Sequence, residues 1–150
     1  MSNDQDTSGD RDPFDLAVEA ASALAARTGV ARHDVAVVLG SGWAAAADEL
    51  GQVVADVALD ELPGFPEPTV VGHRNLARSV KVGERSTLVL GGRAHLYEGH
   101  AVTTVVHGVR TALGAGCTTI VLTYAAGGLN PDWRVGPPVL LSDHLNLSGA

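Results

Sequence analysis

Residues 35–42 have the sequence Val-Ala-Val-Val-Leu-Gly-Ser-Gly, and this stretch decides the fold class. The apolar run from Val35 to Leu39 has the length of a strand. A strand that is apolar on both faces belongs inside a sheet that is covered on both sides. Gly40-Ser41-Gly42 follows at once and leads into an alanine-rich stretch, which is typical of a strand-to-helix turn. The sequence therefore predicts an α/β fold.

The same turn is the first candidate for a binding site. Glycines on both sides of Ser41 permit a positive φ and let a ligand approach the main chain. Consecutive N–H groups before a helix N-terminus attract anions. The alternative is a tight turn that binds nothing. A dinucleotide fingerprint would need a third glycine where Ala45 stands, so a dinucleotide-binding oxidoreductase is disfavoured.

The sequence on either side predicts elements in an order typical of a mixed sheet flanked by helices. Asp12-Pro13 opens a helix and Gly29 ends it, and residues 76–82 and 86–90 form a hairpin. The other predicted elements are a helix over 43–50, a strand over 52–59, a proline-rich loop over 63–68, a helix over 102–113, a strand over 118–123 and a strand that begins at 139–141.

Charge and composition exclude several classes of protein. The net charge is −7, but residues 1–19 hold six acids and one Arg, so the rest is nearly neutral and has no basic stripe for nucleic acid. No apolar run reaches the ~20 residues of a membrane span, and the acidic N-terminus is not a signal peptide. Cys117 is the only cysteine, which excludes an internal disulfide. We expect a disordered tail over residues 1–11, one domain over 12–150, and a cytoplasmic protein.

The second candidate site is the sequence Gly-Gly-Arg-Ala-His-Leu-Tyr-Glu-Gly-His at residues 91–100. Alternate residues of an extended chain share a face, so Arg93, His95 and Tyr97 should point the same way. An Arg guanidinium matches the oxygens of phosphate, and a Tyr ring suits the face of a sugar. Glu98 should point to the opposite side unless the chain has already turned. The alternative is a solvated strand end with an Arg–Glu pair.

The third candidate site is the sequence Thr-Tyr-Ala-Ala-Gly-Gly-Leu at residues 123–129, where a buried strand runs into small residues. Its N–H groups can also face a ligand, and a simple hairpin turn is the alternative. His73 is a lone loop histidine of the kind that is usually solvated, and His33 and His107 are expected to fill surface or core positions. Asp143-His144 lacks a supporting Ser-His-Asp or His-x-x-x-His pattern, so we predict no metal site.

Five short motifs follow one another in a characteristic order and spacing. The most specific is Gly92–Gly99 (GRAHLYEG). The others are Val38–Trp43 (VLGSGW), Leu62–Phe65 with Gly72-His73 (LPGF…GH), Ala125–Asn130 (AAGGLN) and Ser142–Leu147 (SDHLNL). Over about residues 14–149 the chain resembles the trimeric class of purine nucleoside phosphorylases. The resemblance implies a nucleoside-phosphorylase-like α/β fold, with a twisted mixed β-sheet flanked by helices.

The resemblance also implies a reaction and a set of roles. Phosphate attacks C1′ of a purine (2′-deoxy)ribonucleoside and releases the free base and (deoxy)ribose 1-phosphate. Phosphate is a co-substrate, no metal or organic cofactor takes part, and the full-length protein is a homotrimer. The implied phosphate-binding groups are Ser41, His73, Arg93, Ala94, His95 and the backbone N–H of Ala125. Tyr97 would lie against the sugar, and the catalytic residues would be His95 and Glu98, with Glu98 orienting the phosphate and His95.

The chain departs from the family pattern in two ways. Tyr124 stands where the family usually has Asn, and a phenol there would crowd the phosphate loop or remove a hydrogen bond that fixes it. The family's chain also runs far beyond residue 150, so we expect a partial domain whose missing C-terminal part binds the purine. Two alternatives stay open: an S-methyl-5′-thioadenosine phosphorylase, and a catalytically inactive phosphate-binding or oligomerisation fragment.

Overall fold

The computed structural model describes residues 11–40, 42–67 and 75–147. The strands are β1 (Val35–Val38), β2 (Gln52–Ala58), β3 (Leu76–Val82), β4 (Arg85–Leu90) and β5 (Thr119–Leu122). The α-helices are α1 (Pro13–Thr28), α2 (Val102–Val105) and α3 (His107–Gly114). Short 3-10 helices span Ala44–Asp48, Leu59–Glu61 and Leu96–Glu98. The predicted α/β class is confirmed.

The five strands form one mixed sheet in the order β2-β3-β4-β1-β5. β1 lies parallel to both β4 and β5, whereas β3 is antiparallel to β2 and β4. The predicted hairpin is therefore β3–β4, and the strand predicted from Val35 is the centre of a parallel trio. The prediction of a second buried strand over 118–123 is wrong as to burial, because β5 is an edge strand in which Val121 is 44% and Leu122 56% exposed. Parallel neighbours end at the same edge of a sheet, so the segments that follow β4, β1 and β5 are brought together.

The first helix has the caps that its sequence predicts. The Asp12 carboxylate accepts a hydrogen bond from the Phe14 N–H at 2.8 Å, which satisfies one of the free donors of the first turn. Gly29 ends the helix with φ +70°, in the left-handed region that glycine adopts without strain. The helix lies against α3 and buries a face of small residues and Leu24.

The main core lies between these two helices and the sheet. Its buried members are mostly aliphatic and include Leu24, Ala36, Val38, Leu88, Leu90 and Ala112. A smaller cluster of Leu39, Val80 and Val89 lies in contact with the partly buried Val37, Ala47 and Leu50. Within the described residues, most of the buried apolar side chains therefore belong to the first cluster.

Two predicted helices differ from the structure. The predicted helix over 43–50 is only the 3-10 helix Ala44–Asp48, which has no side-chain cap and no buried residue. Eight residues between two glycines are too few for a stable helix when only Ala47 and Leu50 are packed against the core, and these only partly buried. The predicted helix over 102–113 is broken into α2 and α3 at Val106. The break follows a run of β-branched residues, Val-Thr-Thr-Val-Val, whose χ1 is restricted in a helix.

The predicted strand at 139–141 is wrong. Residues 123–147 contain no helix or strand, and Leu140 is 99% exposed. β5 is an edge strand of the described sheet, and residues 139–141 do not pair with it. A strand needs a partner for its N–H and C=O groups, so an isolated one does not form.

Two predicted segments lie partly outside the described residues. Of the predicted tail over 1–11 only Arg11 is described, and its guanidinium pairs with Glu19 at 3.3 Å. Of the predicted loop over 63–68, residues 63–67 contain neither helix nor strand.

His33 is a buried histidine with only one hydrogen-bonded ring nitrogen. Its side chain is almost fully buried, and Nε2 lies 2.8 Å from Ser79 Oγ. Nδ1 is buried and has no hydrogen-bond partner. Burial lowers the pKa of His33; the nearby Asp34 opposes this effect and Lys81 adds to it. Protonation would therefore bury a charge together with a donor that has no acceptor.

We expect the free energy of unfolding to fall as the pH drops below about 6.5. The unfolded chain takes up a proton on His33 near pH 6.5, whereas the folded chain resists it until lower pH. The slope from this one residue is at most about 1.4 kcal/mol per pH unit. Denaturant unfolding between pH 7.5 and 5.5 checks it, and His33→Gln should reduce the slope. His144→Gln, at an exposed position, is the control; equal slopes in wild type and His33→Gln would refute the expectation.

Candidate functional site

Three glycine-containing segments leave the sheet at one edge. We call residues 39–43 the first corner, residues 91–95 the second corner and residues 123–128 the third corner. They follow β1, β4 and β5, which are parallel neighbours in the sheet. Ligands of open α/β sheets bind beyond the carboxyl ends of the strands, so this edge is the candidate site.

Thr123 joins all three corners. Its hydroxyl accepts a hydrogen bond from the Gly40 N–H at 3.0 Å, and its carbonyl accepts one from Arg93 Nη1 at 3.0 Å. Its hydroxyl and its N–H also donate to the Val38 carbonyl, at 3.1 and 3.0 Å. The three segments that the sequence marked separately are therefore in direct contact.

The two glycines of the first corner are required for different reasons. A Cβ on Gly40 would lie 2.3 Å from the Thr123 carbonyl oxygen and 2.8 Å from Tyr124 Cα. Gly40 is thus required by the close approach of the third corner and not by a positive φ. Gly42 has φ +83° with open space around it, so its conformation alone favours glycine. Ser41, between them, lies outside the described residues.

The 3-10 helix that follows the first corner is tied to the sheet through Arg78. Arg78 pairs with Asp48 at 2.5 Å and with both carboxylate oxygens of Asp56 at 2.8 and 3.0 Å. These two carboxylates raise the pKa of the Arg78 guanidinium further above its usual value. Because the Arg78 guanidinium binds Asp48 of the 3-10 helix and Asp56 of β2 together, it fixes the direction in which the chain leaves the first corner.

The second corner is extended only as far as His95 and then turns. The rings of His95 and Tyr97 are stacked with centroids 4.8 Å apart. The prediction that Arg93, His95 and Tyr97 share a face rested on an extended chain, which holds only as far as His95, and the Arg93 guanidinium is bonded to the Thr123 carbonyl. Residues Leu96–Glu98 form a 3-10 turn, and Glu98 Oε2 accepts a hydrogen bond from the His95 N–H at 2.7 Å. Glu98 therefore fixes the backbone at His95. Tyr97 is 83% exposed and presents a free ring face.

A shallow cleft separates the second corner from the loop at residues 65–67. Its lining includes Phe65, Glu67, Asn75, Gly92, Arg93 and Glu98. A Cβ on Gly92 would lie 2.3 Å from Asn75 Oδ1, so the glycine makes room for this amide. Asn75 could not be predicted as a lining residue from the sequence, because a lone Asn before a strand carries no signal of its own. His73 lies outside the described residues.

His107 contacts the loop that carries Phe65, one of the residues that line this cleft. It is buried in α3, its Nε2 lies 2.8 Å from the Pro63 carbonyl, and its ring contacts Phe65 edge-on at 4.7 Å between centroids. Burial lowers the pKa of His107, although the hydrogen bond to Pro63 opposes the effect. The ring is therefore neutral near pH 7 and can donate one N–H to the carbonyl. His107, which was expected only to fill a surface or core position, therefore binds the loop at Pro63 and Phe65 to α3.

The remaining candidate residues differ in their burial. Ala94 is half-buried beside Arg93, whereas Ala125 in the third corner is exposed. Cys117 is buried, and burial raises the pKa of its thiol to about 11, which leaves it unreactive. The Asp143 carboxylate accepts a hydrogen bond from the His144 N–H at 2.8 Å in an exposed segment.

Residues 11–40, 42–67 and 75–147 contain no group of three or more His, Cys, Asp or Glu side chains placed to hold a metal ion. No helix in these ranges is long and apolar enough to cross a bilayer.

The chain matches known proteins over most of its length. A family model described as the phosphorylase superfamily matches residues 34–150. The purine nucleoside phosphorylase of Cellulomonas sp is 54% identical over 142 residues, which cover 91% of this chain and 50% of that protein. The Mycobacterium tuberculosis purine nucleoside phosphorylase is 54% identical over 137 residues, covering 91% of this chain and 51% of that protein. The chain spans about half the length of the curated relatives it matches.

Solved structures share the fold. A purine nucleoside phosphorylase in complex with ribose-1-phosphate has a TM-score of 0.73 and 28% identity, covering 82% of this chain and 44% of that one. The Schistosoma mansoni purine nucleoside phosphorylase in complex with inosine has a TM-score of 0.70 and 27% identity, covering 81% of this chain and 42% of that one.

Proposed function

The chain belongs to the phosphorylase superfamily, and we propose that it forms the phosphate-binding half of a purine nucleoside phosphorylase. The observation that carries the proposal is the meeting of the three corners at Thr123. It brings the Arg93 guanidinium to the edge where the N–H groups of the first and third corners lie. A guanidinium beside backbone N–H groups is a site for a phosphate oxyanion.

The roles of individual residues in this proposal combine the geometry with the family resemblance. Arg93 has five N–H donors, of which the Thr123 carbonyl takes one, so it can hold phosphate and the third corner together. Ser41, His73, Ala94, His95 and the Ala125 N–H are proposed as further phosphate contacts. Glu98 fixes the His95 backbone, and the exposed Tyr97 ring offers a surface for the ribose.

The reaction follows from a phosphate held below the sugar. A phosphate oxygen forms a bond to C1′ while the bond from C1′ to the purine nitrogen breaks, and the bonding pair leaves with the purine, which takes up a proton. Positive charge develops on the sugar, and a fixed phosphate anion stabilises it as well as attacking. Holding both reactants in line replaces a bimolecular encounter with an oriented one. On this proposal no metal or organic cofactor takes part.

The assembly and the compartment are also proposals. The resemblance favours a homotrimer of the full-length protein in the cytoplasm. The residues that bind the purine belong, on the same resemblance, to the half of the relatives that this chain does not match.

Calorimetric titration of inorganic phosphate into the 150-residue chain tests the proposal. We expect saturable binding of one phosphate per chain, with chloride at matched ionic strength as the control for screening. With inosine and phosphate we expect the chain alone to release little hypoxanthine. Heats that match those of chloride would refute the phosphate site, and substantial hypoxanthine release would refute the division into halves.

A further inference from the structure

The Thr123 side chain accepts a hydrogen bond that a main-chain carbonyl accepts in a regular parallel sheet. Leu39, the first residue after β1, donates its N–H to the Leu90 carbonyl of β4 at 2.9 Å. The next N–H, that of Gly40, turns to the β5 side and meets the Thr123 hydroxyl at 3.0 Å instead of a carbonyl. The hydroxyl thus replaces one carbonyl acceptor of the parallel sheet. The Gly40 N–H therefore keeps a hydrogen-bond partner where the first corner leaves the sheet.

The same residue fixes the other two corners through its backbone. The Thr123 carbonyl accepts a hydrogen bond from Arg93 Nη1, and the Thr123 N–H donates to the Val38 carbonyl, each at 3.0 Å. The Thr123 hydroxyl is bonded to the first corner and the Thr123 carbonyl to the second. This one residue therefore sets the distance between the two corners. A Cβ on Gly40 would clash with the Thr123 carbonyl oxygen, so the first and third corners pack main chain against main chain at this point.

Threonine suits this task better than its neighbours in size. Valine has the same branched shape but no hydroxyl, so it would leave the Gly40 N–H without its acceptor. Serine has the hydroxyl but lacks the second γ atom that restricts χ1. Serine should therefore restore most of the function of threonine, and valine should not.

We propose that Thr123 is the positioning residue of the phosphate site and acts through its hydroxyl on the spacing of the three corners. The proposal rests on the proposed function, because it concerns the same anion site. Thr123 itself does not need to touch the phosphate. Its hydroxyl is already used by Gly40 and Val38, and its carbonyl by Arg93.

The test compares Thr123→Val and Thr123→Ser with the wild-type chain in phosphate titrations. We expect Thr123→Val to bind phosphate about tenfold more weakly, as expected for the loss of one hydrogen bond, and Thr123→Ser to bind within about twofold of wild type. Thr118→Val is the matched control. Thr118 lies just before the opposite end of β5, and its hydroxyl is 3.4 Å from the Asp34 carbonyl. This control should leave phosphate affinity unchanged.

Amide hydrogen exchange of Gly40, followed by NMR without phosphate, gives an independent measurement. We expect faster exchange of this one amide in Thr123→Val and wild-type behaviour in Thr123→Ser. Equal phosphate affinity in wild type and Thr123→Val would overturn the positioning role and leave the proposed function standing. No phosphate binding by the wild-type chain would overturn both. A Thr123→Val chain that does not fold would show a role in the whole fold and overturn a role confined to the site.

Discussion

Replacing Arg93 with alanine should weaken phosphate binding by roughly ten- to a hundredfold. The change removes a charged, planar donor, and hydrogen bonds to charged groups contribute about 1.5–3 kcal/mol. It also removes the hydrogen bond to the Thr123 carbonyl, so the third corner loses its tie to the second. Titration calorimetry measures the affinity, and denaturant unfolding shows whether the fold is retained. Arg93→Lys keeps the charge without the fork and should fall between wild type and alanine.

Arg85→Ala is the matched control for this prediction. Arg85 begins β4 and Arg93 lies just beyond its other end, so the two arginines differ in which edge of the sheet they occupy. Arg85 is exposed, and salt screens its long-range attraction to phosphate. Its loss should therefore change phosphate affinity by less than about twofold. If Arg85→Ala and Arg93→Ala weaken binding equally, the attraction is general charge and there is no site at the three corners.

Local signals in the sequence predicted the elements whose ends are set by local chemistry. Helix α1 begins after Asp12 and ends at Gly29, because a side-chain cap and a positive φ act within a few residues. The hairpin of β3 and β4 is local in the same sense. The strand at 139–141 was wrong because a strand depends on pairing with a distant segment, and residues 139–141 do not pair with the edge strand β5.

The order of the strands could not be predicted from periodicity. β1 is followed along the chain by β2, but in the sheet its neighbours are β4 and β5. The apolar run at Val35–Val38 indicated burial on both faces without indicating which strands cover its edges. Pairing between distant segments depends on the packing of the whole core, including α1 and α3.

The candidate site was predicted in pieces, and the contact that unites them was not. Each corner carries its own glycines, which made residues 40–42, 91–92 and 127–128 visible as turns. Thr123 is an ordinary residue at the end of a β-branched strand, and its partner Gly40 is 83 positions earlier. Only the parallel pairing of β1 with β5 makes its hydroxyl an acceptor for the first corner.

Replacing Gly40 with alanine should destabilise the chain by roughly 3 kcal/mol and abolish measurable phosphate binding. The added Cβ would lie 2.3 Å from the Thr123 carbonyl oxygen and 2.8 Å from Tyr124 Cα, which are both main-chain atoms. Because these atoms cannot rotate away, the first and third corners must separate. Overpacking of this kind costs about 1–3 kcal/mol, and the hydrogen bond from the Gly40 N–H to Thr123 adds about 1 kcal/mol. Denaturant unfolding and phosphate titration measure the two effects.

Gly127→Ala isolates the effect of the close approach from that of losing a glycine. No atom lies within 4 Å of a Cβ at Gly127, and its φ is not positive, so the change should shift the free energy of unfolding by less than about 0.5 kcal/mol. Alanine also restricts the unfolded chain in the same way at both positions, so this contribution cancels in the comparison. If Gly40→Ala were as stable as Gly127→Ala and bound phosphate normally, the first and third corners would not be in contact, and the site built on that contact would be wrong.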